Sequence, residues 1–362
     1  MSSASQNRLV YVDYFKSLAL LFVISIHSIN HMGFYESNVN MSWEGGAVFV
    51  LRALWVSCVP MFLIASGIVL RNTNTNCINF KAIFKVLITY FLCSILCASL
   101  DIVVQIRHNT PIDIISIIAS FLNFTAAPYG WYVAMYIGLF LLAPFINKLW
   151  ALLDNKSKIV LLIILFVLVI LPNSFNSINY RDGMFDIYAT RDSYFRIVDN
   201  FWSFMYPILY YCVGLYIRDS VDMINNKCHS RRLLILLLTL LVSIGIFNLF
   251  KNIGHNYGWA LDSSYGGIQA FVVSIVACLV LVVIPQRDHK IIRFISNNTL
   301  AAYLLSYVVD YFVYIPAESF TCPNRIFIVF AIIPVDYIIS IVLGGLVSRV
   351  NRVIFDYSFK LI

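Results

Sequence analysis

Residues 12–31 read VDYFKSLALLFVISIHSINH. From Leu18 to Ile26 the run is apolar except for Ser25. Twenty helical residues at about 1.5 Å each span roughly 30 Å, the thickness of a bilayer core. An amphipathic helix of a soluble domain shows a broad polar face. Here the polar residues are few, and Lys16 and His27 among them are ionisable. No small-x-small cleavage site follows the run, which continues through His27-Ser28-Ile29-Asn30-His31. It therefore reads as an uncleaved first transmembrane span and not as a signal peptide.

The rest of the chain repeats this character. Of 362 residues, 60% are hydrophobic and only 12% are charged, whereas soluble domains average about 45–50% and about 25%. That excludes an ordinary soluble enzyme, a disordered chain and a nucleic-acid binder, because the net charge of +7 is too dilute for a phosphate-tracking stripe. Ten candidate spans follow, at 12–31, 46–70, 82–105, 131–150, 158–173, 200–217, 233–250, 266–285, 298–316 and 325–347. The stretch 111–124, PIDIISIIASFLNF, is too short to cross and reads as interfacial or re-entrant. No internal repeat divides the chain. The expected fold is all-α, a bundle of about ten transmembrane helices forming one domain over 1–362 and embedded in membrane lipid.

Basic residues orient the bundle. Of 25 Lys and Arg, Lys16 and Arg52 fall within spans, and only Arg107, Arg181, Arg191, Arg196, Lys251 and Arg325 lie on one side. The remaining 17 occupy the alternate segments, which puts both termini in the cytoplasm. Of the eight cysteines, Cys58, Cys93, Cys97, Cys212 and Cys278 lie inside apolar runs and Cys77, Cys228 and Cys322 in loops. None has metal-ligand or disulfide spacing within one compartment, and they read as small core residues.

Ionisable side chains within spans are costly and are functional candidates by default. Lys16 and His27 are eleven residues apart and return to nearly the same helix face, roughly 16 Å apart along the axis. Asp13 lies close to the same stripe. A cation near the cytoplasmic entrance and an imidazole deep in the membrane suit a long substrate with a phosphate at one end and a reactive group at the other, the shape of coenzyme A. The bland readings stand beside this one. Lys16 is also placed to snorkel to the interface, and His27 to make an inter-helix hydrogen bond. His27 and His31 have the i, i+4 spacing of a metal pair but no third ligand nearby, so no metal is expected.

The run Asp13-x-x-Lys16-x10-His27 resembles the first-helix signature, Arg/Lys-x10-His, of membrane acyltransferase family 3. Further segments resemble the family's motifs in order: Val59-Pro60-Met61-Phe62-Leu63-Ile64-Ala65-Ser66-Gly67, the basic pair Lys81 and Lys85, Gly130-Trp131-Tyr132-Val133, Leu141-Leu142-Ala143-Pro144, Tyr211-Cys212-Val213-Gly214 and Asn298-Thr299-Leu300-Ala301-Ala302-Tyr303-Leu304-Leu305. Two departures stand out. Lys16 replaces the commoner Arg and loses its bidentate fork, and Ser306 stands where many members have His. No appended extracytoplasmic hydrolase-like domain is read, so transfer is expected to finish in the membrane domain.

The resemblance implies a membrane-bound O-acyltransferase of the bacterial cytoplasmic (inner) membrane. It would move an acyl group, most often acetyl, from acetyl-CoA as co-substrate to a hydroxyl of an extracytoplasmic or lipid-linked glycan. His27 would then be general base or acyl carrier. Lys16, Lys81 and Lys85 would meet the phosphates of the coenzyme, and Ser66-Gly67 would admit its pantetheine arm, with close helix packing as the plain alternative for that pair. Trp131 and Tyr132 would line the cavity. By depth, Arg52, Asp101 and Asp310 share the outer half with His27, and Asp336 lies nearer the middle; Arg52 and Asp310 are candidates for the acceptor site or for a structural ion pair. The loop 173–199, with Tyr180, Tyr188 and Tyr194, suits sugar stacking or simply covers helix ends. The rival class is a transporter of glycans or lipid-linked sugars, or a non-catalytic export component, which would depend on Arg52 and Asp310 more than on His27.

Overall fold

In an apolar solvent every backbone N–H and C=O must be paired within its own segment, so apolar runs of this length are driven into helices. The computed structural model describes residues 8–36, 43–73, 80–176, 198–252, 265–315 and 325–358, and among them there is no strand. The helices are α1 (Val10–His31), α2 (Trp43–Trp55), α3 (Cys58–Leu70), α4 (Phe80–Arg107), α5 (Ile114–Leu122), α6 (Trp131–Leu152), α7 (Asn155–Asn176), α8 (Tyr206–Asp219), α9 (Val221–Lys227), α10 (Ser230–Asn252), α11 (Ile268–Val283), α12 (Lys290–Val313) and α13 (Arg325–Ser358). Most of the loop 173–199, with Tyr180, Tyr188 and Tyr194, lies outside the described residues, as do Cys77 and Cys322.

Each of the ten expected spans falls on a helix, but seven rather than ten of the described segments are long and apolar enough to cross a membrane. The shortfall has physical causes. The span expected at 200–217 begins only at Tyr206, where Pro207 occupies the first turn, and the helix is 14 residues long. α11 has 16 residues. α12 is long enough at 24 residues, but Lys290, Arg293, Asn297, Asn298 and Asp310 dilute its apolar character. The span expected at 46–70 remains one of the seven, though it is interrupted at Val56–Ser57, between α2 and α3. Pro60 has no N–H to give the carbonyl of Val56 and its ring crowds that carbonyl. Ser57 bridges the break by donating its hydroxyl to Leu54 O at 2.6 Å.

Helix starts follow local chemistry. Asp113 caps α5, accepting from Ile115 N at 2.9 Å and Ser116 N at 3.3 Å. The Ser116 hydroxyl and these N–H groups hold the Asp113 carboxyl below its usual range. Asp154 does the same for α7 through Ser157 N at 2.9 Å. On α5, Ile114, Ile115, Ile118 and Leu122 are all exposed, the pattern of a short helix lying at an interface.

The chain divides into two compact units. The first comprises residues up to Val23, Phe34–Arg71 and Leu153–Asn297. Its helices meet through small residues, as helices do where lipid offers no hydrophobic drive between them. At the α3–α8 crossing, Gly67 lies against Gly214: a Cβ on Gly67 would overlap the Tyr211 carbonyl and lie 3.1 Å from Gly214 Cα. α2 packs on α10 and α11 through Ala53, Leu241 and Val273. Asn248 and Gln269 exchange amide hydrogen bonds of 3.0 and 3.1 Å. Asp219 gathers Arg71 Nε at 3.0 Å and Lys158 Nζ at 2.9 Å. On α7 and α10, by contrast, Ile163 (55%) and Leu238 (61%) keep most of their surface exposed, as expected for faces covered by lipid.

The second unit comprises Ile24–Gly33, Asn72–Leu152 and Asn298–Ile362. Here α13 is tied to α4 by the Asn351 amide, which donates to Lys85 O at 2.9 Å and to Thr89 Oγ1 at 2.5 Å. Gly344 lets α13 approach α12: a Cβ there would lie 2.6 Å from Ala302 N. Cys97 donates from its thiol to Leu304 O at 3.6 Å.

These contacts predict a contrast among three glycine-to-alanine variants. Gly67→Ala and Gly344→Ala should each lower thermal stability in detergent by about 1–3 kcal/mol, the usual cost of overpacking. Gly138→Ala, on an exposed face of α6 with nothing within 4 Å, should be neutral or gain up to about 1 kcal/mol of helix propensity. Unfolding followed by fluorescence-detected size exclusion separates the three; indistinguishable midpoints would contradict the packing described.

Candidate active site

The last two turns of α1 carry His27 and His31, whose i, i+4 spacing puts both on one face. Their common partner is Tyr129, on the short connection between α5 and α6. That connection is built for a sharp reversal. Phe124 takes a left-handed backbone with φ 62°, and Asn123 Oδ1 accepts from Thr125 N at 3.1 Å. Gly130 donates to Ala127 O at 2.7 Å in a position where a Cβ would press on the Phe124 and Ala127 carbonyls. Tyr90 fixes the end of α5 by donating to Phe121 O at 3.2 Å.

The reversal delivers the Tyr129 ring to His27, stacked at 4.0 Å between centroids and 22° between planes. The Tyr129 hydroxyl donates to Asp310 Oδ2 at 2.8 Å. His31 Nε2 lies 3.2 Å from the same oxygen and 3.4 Å from the hydroxyl. Asp310 is 1% exposed. Behind it stands Asp336, fully buried, accepting from Ser340 Oγ at 2.9 Å. The two carboxyl groups are within hydrogen-bond reach of each other. Asp310 Oδ1 and Asp336 Oδ2 have no hydrogen-bond partner among the described residues.

Aromatic rings extend the cluster. Tyr303 stacks on Tyr129 at 5.7 Å and meets Tyr132 edge-on at 5.9 Å. Tyr307 packs edge-on against Tyr129 at 6.0 Å and donates to Asp101 at 2.8 Å. Tyr314 stacks on His31 at 5.2 Å. His27 has a different character from all of these: among the described residues nothing hydrogen-bonds either of its ring nitrogens. The result is an imidazole stacked on Tyr129 with no hydrogen bond at either ring nitrogen among the described residues.

Of the residues singled out from sequence, His27, Tyr132, Asp101, Asp310 and Asp336 thus share the second unit, and His27 and Asp310 are brought together through Tyr129. Trp131 stands at the start of α6, 38% exposed and edge-on to Tyr132 at 6.1 Å. Lys81 and Lys85 are exposed on the first turns of α4. Tyr129, Tyr303, Tyr307, Tyr314 and the pairing of His31 escaped the sequence reading. A signal was there for three of them: Tyr303, Tyr307, Asp310 and Tyr314 recur at i, i+4, i+7 and i+11, one continuous stripe on α12 and just past its end.

The remaining candidates belong to the first unit. Asp13 is buried and accepts Arg8 Nε at 2.6 Å, Arg8 Nη2 at 2.9 Å and Ser296 Oγ at 2.6 Å. The carboxylate of Asp13 in turn pushes the Arg8 guanidinium further up from its ordinary value. With Asp13 so engaged, the half-buried Lys16 ammonium has no hydrogen-bond partner among the described residues. Arg52 donates from Nε to the Tyr35 hydroxyl at 3.2 Å and lies 5.7 Å from that ring's centroid. Ser66 returns its hydroxyl to Phe62 O at 2.8 Å. Gly67 lies at the α3–α8 crossing against the Tyr211 carbonyl. No group of three or more His, Cys, Asp or Glu side chains placed to hold a metal occurs among the described residues.

No curated protein and no solved structure matches the chain. A family model does: that of the acyltransferase domain, over residues 9–347. A match running from the first turn of α1 almost to the end of α13, on a chain of apolar helices long enough to cross a bilayer, places it: the chain belongs to acyltransferase family 3 and is a membrane acyltransferase.

Proposed function

We propose that the protein transfers an acyl group, acetyl in the first instance, from cytoplasmic acyl-CoA to a hydroxyl of an extracytoplasmic or lipid-linked glycan, in the inner membrane of a bacterium. The observation that carries this reading is His27. An imidazole on the first apolar helix, stacked on Tyr129 and with neither nitrogen hydrogen-bonded among the described residues, is suited to act on a substrate. As general base it takes the proton of the acceptor hydroxyl while the oxygen attacks the thioester carbonyl and the C–S bond breaks. As acyl carrier it forms the acyl–nitrogen bond itself and releases the thiolate before the hydroxyl arrives.

Lys16 supports the donor. An unpaired ammonium on the same helix, with its neighbouring carboxylate Asp13 already engaged, offers a counter-charge for a coenzyme phosphate. Lys81 and Lys85, exposed at the start of α4, add positive charge where both termini and most basic residues are assigned to the cytoplasm. Trp131, 38% exposed and backed edge-on by the buried Tyr132, presents aromatic surface suited to stacking against an acceptor sugar. Arg52 and Asp310 are engaged with Tyr35 and with Tyr129 and His31, which leaves Asp310 a role through its neighbours.

Three outcomes test this reading. His27→Ala should lower acetyl transfer to the glycan by about 10²- to 10⁴-fold, the range of a lost general base, with membrane insertion and thermal stability preserved. Mass spectrometry of surface polysaccharide reads the loss of one acetyl per repeat, and full acetylation in the variant would refute the role. Lys16→Ala should raise KM for acetyl-CoA about tenfold, since a charge-assisted hydrogen bond contributes about 1.5 kcal/mol or more. Lys16→Arg should restore most of it, and an unchanged KM in Lys16→Ala removes Lys16 from the donor site. Finally, Cys228, at the end of α9, should react with a membrane-impermeant maleimide in inside-out vesicles and stay unlabelled in right-side-out ones. Labelling from the outside reverses the topology.

A further inference from the structure

The general base of an acyl transfer is normally oriented by a third group that also stabilises the cation formed on it. In this unit the histidine with such a partner is His31 and not His27. Asp310 Oδ2 lies 3.2 Å from His31 Nε2. The Tyr129 hydroxyl fixes that oxygen from the other side at 2.8 Å, and Tyr314 covers one face of the ring. With Nε2 engaged, Nδ1 keeps its lone pair and has no partner among the described residues. The His31 side chain is 29% exposed against 1% for Asp310, so a substrate hydroxyl can reach the imidazole and not the carboxylate behind it. His27 lacks a carboxylate and touches the same Tyr129 by its ring face.

We infer that His31, held by Asp310, is a second catalytic histidine, which accepts the proton of the attacking acceptor hydroxyl while His27 carries the acyl group. This rests on the acyl-CoA reading above and decides between its two roles for His27. The steps balance. The unprotonated nitrogen of His27 attacks the thioester carbonyl, an N–C bond forms, the C–S bond breaks, and coenzyme A departs as thiolate, leaving an acyl-imidazolium. The acceptor oxygen then attacks the acyl carbon, its proton passes to His31 Nδ1, and the N–C bond breaks to return neutral His27. The His31 imidazolium, stabilised by Asp310, finally gives its proton to the thiolate.

The test uses the full-length protein in nanodiscs with acetyl-CoA, following release of the coenzyme thiol with two acceptors. One is envelope polysaccharide, whose hydroxyls need a base. The other is hydroxylamine, nucleophilic enough to deacylate an acyl-imidazole unaided. His31→Gln keeps a side-chain N–H directed at Asp310 but takes no proton. It should lower transfer to polysaccharide by about 100-fold, with KM for acetyl-CoA within about twofold and hydroxylamine-dependent release within about threefold of wild type. Asp310→Asn, which leaves the imidazole and removes the charge behind it, should lose about tenfold or more in the polysaccharide arm alone. His27→Ala should lose both arms. Polysaccharide transfer near wild type in His31→Gln, or an equal loss in both arms from either variant, overturns the inference while activity lost in His27→Ala keeps the acyltransferase reading. Wild-type protein that releases no thiol in either arm overturns the donor reading and this inference with it.

Discussion

The hydrogen bond from Tyr129 to Asp310 is the contact on which the second unit turns. A buried carboxylate among apolar helices has no water to satisfy it, and removing one partner leaves the others with the full desolvation cost, of order 1–3 kcal/mol per polar group and more for a charge. Asp310 has therefore to collect donors from wherever the chain can supply them. It draws Tyr129 from the α5–α6 connection and His31 from the end of α1. Three segments distant in sequence, α12 included, meet at one carboxylate oxygen. The aromatic rings that pack around Tyr129 then inherit their positions from it, His27 included.

The first unit obeys a different constraint. Lipid is as apolar as the side chains of its helices, so close approach there comes from small residues. Gly67 against Gly214 and the amide exchange of Asn248 with Gln269 supply it. The break at Pro60 shortens α3 to a segment that lies along α8 at backbone distance. In Ser66-Gly67 the hydroxyl turns back on its own helix and the glycine faces a carbonyl.

Hydropathy made the helical class and the position of nearly every helix legible, because burial of the backbone in lipid leaves no competing fold for an apolar run. It counts spans less well where polar residues gather. On α12, Lys290, Arg293, Asn297, Asn298 and Asp310 drop the hydropathy below that of a plain span. The stripe Tyr303, Tyr307, Asp310 and Tyr314 follows the helical period, and it is readable from spacing alone. Tyr129 is not. It lies in a loop, 181 residues from Asp310, and nothing in its local sequence announces a long-range partner. Arg52 shows the converse limit. Depth in the membrane suggested a carboxylate partner, whereas the hydroxyl and ring of Tyr35, from the α1–α2 connection, meet the guanidinium.

Pairing separates the groups that build the protein from those that favour a substrate role. Asp13, Arg71, Lys158, Asp219, Asp310 and Asp336 each have a charge or hydrogen-bond partner, as groups buried or half-buried among apolar helices must. Lys16 and His27 lie on one such helix and have no hydrogen bond among the described residues. A half-buried lysine without a hydrogen-bond partner lowers the stability of the fold, and a leucine in its place would raise it. His27 has the Tyr129 ring to pack on, so its cost falls on the two ring nitrogens alone. On the reading proposed above, these are the groups left for a substrate, Lys16 for an anion and His27 for a carbonyl.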